Sequence, residues 1–335
     1  MKKLVAFLLC AALCLAMMSM SALAADLEVR RGGGSGEFLM DMDTAPFIEN
    51  GRTYLPIRFV AESFGIFTTW DSTTRTAILE RGTITVRVTI GSKNMTVIKN
   101  GFESTVEMDV APLLRDSRTC LPIRFVAEAF GLGVKWDGTY TSDSDDGSIN
   151  RGMTTISEGG KTLYLVIGSK ELLLYAGFFL KFYKNDSFHF AYPRFPECTD
   201  LSEGDVISFL SPPWLGLNRI ITVTYTPVEG TSSAGMDLDS VVSHINTQNM
   251  IVVNNEKISF NGIPAVAYSL VPPDSDSDNR AVSGVAFFNN NLLMRFEVST
   301  FVKDYEISKG IIGDEQAIGT SKSLLDELLP TLTMK

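Results

Sequence analysis

Met40 to Asp71 aligns without gaps on Val106 to Asp137, 66 residues further on, with 18 of 32 positions identical. No other feature limits the fold as much. A unit of this size buries little by itself, so tandem copies must build a core together. The densest stretch runs Arg52-Thr53-Tyr54-Leu55-Pro56-Ile57-Arg58-Phe59-Val60-Ala61-Glu62-Ser63-Phe64-Gly65. Its copy is Arg118-Thr119-Cys120-Leu121-Pro122-Ile123-Arg124-Phe125-Val126-Ala127-Glu128-Ala129-Phe130-Gly131. Each is followed by Trp-Asp, at Trp70-Asp71 and Trp136-Asp137. A later piece, Ile90 to Lys93, recurs as Ile167 to Lys170 at an offset of 77. The polar run Thr139 to Gly152 is the insertion that lengthens the second copy.

Each copy reads as strand, strand, short helix, then a strand meander. Asn50-Gly51 is a tight-turn dipeptide between two extended segments. Pro56 and Pro122 are expected at the first helical position, where a missing N–H costs nothing. Ile57, Val60, Ala61 and Phe64 keep helical spacing and form one apolar face, with Gly65 as the stop. Ile123, Val126, Ala127, Phe130 and Gly131 repeat the scheme. Thr76 to Glu80 and Thr83 to Thr89 then alternate β-branched residues around an Arg81-Gly82 turn.

These doubled motifs resemble the copper amine oxidase N-terminal-like (stalk) domain, over about residues 37–177, with copies at about 37–102 and 103–177. The resemblance implies a module of exported or surface bacterial proteins that accompanies other domains. Catalysis in copper amine oxidases belongs to a separate large domain with a three-histidine copper site and a tyrosine-derived quinone. This chain has two histidines, His189 and His244, and no Asn-Tyr dipeptide. Cu(II) favours several imidazole ligands, so amine oxidation is excluded. The resemblance points to stalk or adhesion, not oxidase chemistry.

The N-terminus reads as an export signal over residues 1–24. Lys2 and Lys3 form the basic region, Leu4 to Met18 the apolar stretch, and Ala22-Leu23-Ala24 the cleavage site, with cleavage expected after Ala24. The apolar run is shorter than the roughly 20 residues a membrane span needs. Residues 25–36 read as a Gly-rich linker through Gly32-Gly33-Gly34-Ser35-Gly36. The whole chain of 335 residues has a formal charge of -10, which argues against a nucleic-acid partner. Processing leaves Cys120 and Cys198, which an oxidising compartment would allow to pair if their geometry permits.

Residues 178–335 read as a second, α+β domain. Ser187 to Tyr192, Asp205 to Leu210 and Arg219 to Val228 are expected strands. Leu238, Val241, Val242 and Ile245 keep helical spacing behind Asp237 or Asp239 as a cap. Asn261-Gly262 marks a hairpin between Lys257–Phe260 and Ile263–Leu270. Asn289-Asn290-Asn291 marks another between Ala281–Phe288 and Leu292–Thr300. Ser321 to Leu329 closes the chain as a helix ended by Pro330. This element order resembles the PsbP/Mog1-type fold. The whole is therefore α+β: a tandem two-repeat strand-helix-strand stalk domain, then an antiparallel-sheet domain with packed helices.

Chemistry is sparse. Asp274-Ser275-Asp276-Ser277-Asp278-Asn279 alternates carboxylates as a calcium loop does, but Asn279 and Val285 stand where Gly and Glu are needed. Asp143, Asp145 and Asp146 lack a supporting Glu in the same way. Arg58/Glu62 and Arg124/Glu128 are expected i,i+4 pairs. His189 and His244 are expected at the surface or half-buried, without catalytic partners. No Gly-x-Ser-x-Gly, Ser-x-x-Lys, His-Glu-x-x-His or P-loop occurs. No catalytic residue, metal ligand or cofactor is assigned. Trp70 and Trp136 are the ligand-binding candidates, able to stack on sugar rings, although repeated tryptophans more often pack a core. The expected function is non-enzymatic: an exported envelope or extracellular protein whose stalk attaches or positions the second domain, with a cell-wall polymer or surface protein as partner. The alternatives are small-molecule or lipid binding by the second domain, and a wall-polymer hydrolase with an unmarked carboxylate pair.

Overall fold

The computed structural model describes residues 29–31, 37–142, 149–177, 179–194, 199–200, 202–203, 206–210, 219–227, 250–272, 280–289, 292–301 and 314–334. The export signal, Gly32–Gly36, Asp143, Asp145, Asp146, Cys198, the Leu238–Ile245 helix with His244, and the Asp274–Asn279 loop lie outside them. Strands dominate, helices are few, and the strand pairings are antiparallel.

The first half is organised around a four-stranded sheet in which the two sequence copies meet. The hairpin Phe47–Glu49 to Arg52–Pro56 turns at Asn50 and Gly51, whose φ values of 51° and 71° are those of a tight hairpin turn. Strand Arg118–Pro122 pairs with Arg52–Pro56 so that Leu121 lies opposite Leu55, each the counterpart of the other. Both leucines are fully buried.

Each of these strands runs straight into a short helix, α1 (Ile57–Phe64) and α2 (Ile123–Ala129). Pro56 and Pro122 are the N-cap residues in extended conformation, one position earlier than expected, because each also ends a strand. Gly65 closes α1 in the left-handed region, φ 66°. The expected apolar face is buried in both helices: Ile57, Val60, Ala61 and Phe64, then Ile123, Val126, Ala127 and Phe130.

Two meander sheets flank this centre. One comprises Phe67–Asp71, Thr76–Arg81, Ile84–Thr89, Asn94–Lys99 and Phe102–Glu107. The other orders Val29–Arg31, Glu37–Asp41, Glu171–Tyr175, Lys161–Val166, Met153–Glu158 and Gly133–Asp137. The copies are therefore interlocked, not merely stacked. Phe102–Glu107 belongs largely to the second copy yet completes the first sheet, and Glu37–Asp41 from the first copy completes the second. Backbone contacts recur with the same offsets: Gly91 N–H to Pro112 O and Gly168 N–H to Pro46 O are both 2.9 Å. The expected linker at 25–36 is corrected in part, since Val29–Arg31 pairs with Glu37–Asp41 at a sheet edge. Backbone pairing at an edge needs no apolar signature, which is why composition hid it.

The second half is built on a seven-stranded sheet ordered Thr199–Asp200, Val206–Leu210, Arg219–Pro227, Leu292–Phe301, Arg280–Asn289, Ile263–Val271 and Ile251–Phe260. Asn261 and Gly262 form the expected hairpin, with Phe260 opposite Ile263. Helix α3 (Asp314–Leu328) lies across two of the strands, and the Ser321 and Thr300 hydroxyls are 2.6 Å apart. It begins earlier than expected. A small sheet of Leu180–Lys184, Phe188–Pro193 and Thr333–Met334 joins the halves. The first apolar core runs from Phe38 to Phe179, and the second begins at Leu180.

Candidate binding grooves

The offset that aligns the two copies also relates two surface grooves. One, of about 350 Å³, is lined by Pro122, Ile123, Arg124, Phe125, Val134 and Trp136 of the second copy. Its opposite wall is Ile48, Gly51, Arg52 and Thr53 from the first copy's hairpin. The other, of about 550 Å³, is lined by Pro56, Ile57, Arg58, Phe59, Thr68 and Trp70, facing Leu114, Ser117, Arg118 and Thr119. Each of these ten wall residues of one groove has its sequence counterpart in the other; Asp109 and Thr154 line only the first, and Glu62 and Phe182 only the second. Both volumes lie within the range of small-ligand sites.

Strand pairing positions the tryptophans. Trp136 lies on Gly133–Asp137 opposite Thr154, and Trp70 lies on Phe67–Asp71 opposite Ala77. The core reading of these residues is corrected: Trp70 is 44% exposed and Trp136 43%. Each faces a partly exposed aliphatic side chain across its groove, Leu114 and Ile48 respectively. The Trp136 ring covers Gly152, where a Cβ would collide with it. Asp71 and Asp137 follow the tryptophans and anchor the next turn by accepting N–H bonds from Thr73 and Thr139, both at 2.8 Å. Hydrogen bonds from Thr74 and Thr73, and from Thr139, hold the two carboxyls below their ordinary range.

Exposed ion pairs bridge the two copies at the hairpin walls. Arg52 pairs with Asp109, and Arg118 with Asp43, which are counterparts at the same offset. The sequence comparison missed this cross-pairing, because both members recur and either could have paired within its own copy.

The helix charges differ. Arg58 Nε donates to Glu62 Oε1 at 2.7 Å, as expected. Glu62 also takes Arg194 of the second half at 3.0 Å, and both of those side chains are buried. The expected Arg124–Glu128 pair does not form: both residues are exposed, and Arg124 has no ion-pair partner among the described residues. An exposed i,i+4 pair gains only a few tenths of a kcal/mol, too little to fix two long side chains without a third partner.

His189 is likewise corrected, being fully buried and stacked on Phe67 with ring centroids 4.1 Å apart. Cys120 is a free, buried thiol beside Phe47 and Tyr54. Burial raises its pKa from 9.0 to about 11. Among the described residues no three His, Cys, Asp or Glu side chains gather to hold a metal, and no helix is long and apolar enough to cross a membrane.

Residues 36–142 match the family model of the copper amine oxidase N-terminal domain. That match ends before the second meander is complete and involves the N-terminal domain of that family, not its catalytic domain. No curated protein matches the chain. Among solved structures, cyanobacterial PsbP (CyanoP) from Synechocystis sp. PCC 6803 is similar at 17% identity and TM-score 0.30, covering 47% of this chain and 92% of its own. The apo immunity protein TplEi of T6SS from Pseudomonas aeruginosa is similar at 11% identity and TM-score 0.24, covering 93% of this chain and 98% of its own.

Proposed function

We propose that the protein is an exported, non-enzymatic envelope component, in which the stalk-like first half attaches the second half to a surface glycan. The observation carrying this is the pair of half-exposed tryptophans, each held in a groove built by both copies. Buried repeat tryptophans would have meant packing. Exposed ones, each facing an aliphatic side chain, offer a flat apolar face for a sugar ring with polar groups beside it. The stalk resemblance and the expected signal over residues 1–24 support the same placement.

The test is co-sedimentation of residues 25–335 with purified cell walls, alongside Trp70→Ala, Trp136→Ala and the double variant. Pelleting by the parent, weakened in each single variant and lost in the double one, is the expected result. Equal pelleting by all four proteins would remove the grooves from the attachment. Mass spectrometry of the mature N-terminus, expected to begin at Ala25, tests export.

A further inference from the structure

We propose that the Trp136 groove selects a carboxylate-bearing sugar, with Arg124 as the residue that reads the charge. This deepens the glycan reading and rests on it.

The two grooves share ten counterpart wall residues but differ in charge state. In the Trp70 groove both guanidinium groups are occupied: Arg58 by Glu62, and Arg118 by Asp43. In the Trp136 groove Arg52 is occupied by Asp109, whereas Arg124 is exposed and has no ion-pair partner among the described residues. The difference goes with Arg194, which lines neither groove. Arg194 of the second half pairs with Glu62 Oε1, the same oxygen that Arg58 reaches, and so helps to hold it in place. Nothing comparable orders Glu128, which is exposed. Arg124 therefore keeps its donors for a ligand.

A guanidinium and an exposed indole lining one groove suit one chemistry in particular: a sugar ring on the indole and a carboxylate on the fork of the arginine. The chain's overall charge of -10 opposes an acidic ligand at long range. At physiological ionic strength that repulsion is screened beyond about 8 Å, while a direct contact is not. The local cation then decides.

The experiment is calorimetric titration of residues 25–335 at physiological salt with two hexasaccharides. One is hyaluronan, with a carboxylate on every second sugar; the other is chitohexaose, which is neutral. Hyaluronan should bind more tightly, Arg124→Gln should weaken it about tenfold, and chitohexaose should be unaffected. Arg87→Gln, at an exposed arginine on Ile84–Thr89 that lines neither groove, should leave hyaluronan binding within about twofold. Equal loss in both arginine variants, or no loss in Arg124→Gln, overturns the proposal while leaving glycan attachment intact. Failure of both sugars, with walls still pelleting the protein through Trp70 and Trp136, overturns this inference alone. Failure of wall binding as well overturns both. Tighter binding of poly-L-glutamate than of hyaluronan would assign the groove to acidic peptides and also overturn it.

Discussion

Tyr54 and Cys120 occupy the same position in the two copies, and the exchange shows how one residue changes local chemistry without disturbing the fold. Tyr54 stacks on Phe47 at 5.3 Å and donates its hydroxyl to Ala111 O at 2.9 Å. Cys120 has no such reach and is simply enclosed. Its thiol is favoured in the neutral form, so the folded state holds its proton more tightly than the unfolded chain does. The stabilisation is present below about pH 9 and fades as pH rises toward about 11. In a Cys198→Ser background, native protein should resist iodoacetamide at pH 8 and react readily once unfolded by guanidinium. A Cys120→Ala variant should lose less stability between pH 9 and 11 than the parent in denaturant titrations. Rapid native labelling would show that the thiol is not enclosed. At the groove, Gly152 matters in the same residue-by-residue way. It has φ 71° and lies under the Trp136 ring, so Gly152→Ala meets both backbone strain and the indole. The expected outcome is a red-shifted tryptophan emission and glycan binding weakened to the level of Trp136→Ala.

At the scale of elements, the two short helices have almost the same sequence and different surroundings. α1 meets the other half of the molecule through Glu62 and Arg194, and its Phe59 and Glu62 are buried. On α2 the counterparts Phe125 and Glu128 are half-buried and exposed. The same substitution should therefore have different costs. Glu62→Ala takes a buried carboxylate from Arg194, a buried cation, and should destabilise by about 2 kcal/mol. Glu128→Ala should stay within about 0.5 kcal/mol. Equal costs in urea unfolding would show that the Glu62–Arg194 pair adds nothing to stability. Much of each copy was legible in the sequence: the helical face, the glycine stops and the Asn50-Gly51 turn follow from local chemistry. Asn100-Gly101 carries the same turn signal and joins the strands that cross between copies. The exposure of Trp70 and Trp136 was not legible, because a repeated tryptophan fits a core as well as a groove. Nor was the idle Arg124, since its spacing from Glu128 equals that of Arg58 from Glu62. What separates them lies more than 60 residues away in sequence, on Arg194.

The whole molecule is joined across a tight seam that links its two cores. Phe67 of the first half stacks on His189 and meets Phe182 edge-on at 5.3 Å. Lys161 pairs with Glu327 at 2.5 Å, and Gly82 lies near Pro330 O and Asn261. Gly65 sits where the seam is closest. Its φ of 66° already disfavours a side chain, and an added Cβ would run into the Thr331 methyl. Gly131, its counterpart, has φ 78° and nothing within 4 Å. The pair separates backbone strain from docking. Gly131→Ala carries the strain alone, about 1 kcal/mol. Gly65→Ala carries the strain and the collision, and should cost a further 1–3 kcal/mol, roughly the cost of overpacking a filled site. A seam of this kind also couples the halves in unfolding. Residues 25–335 should melt in one calorimetric transition, and Gly65→Ala should split it into two, the first half melting near the temperature of Gly131→Ala. A single transition in Gly65→Ala, shifted no further than in Gly131→Ala, would mean that Thr331 moves aside without loosening the contact.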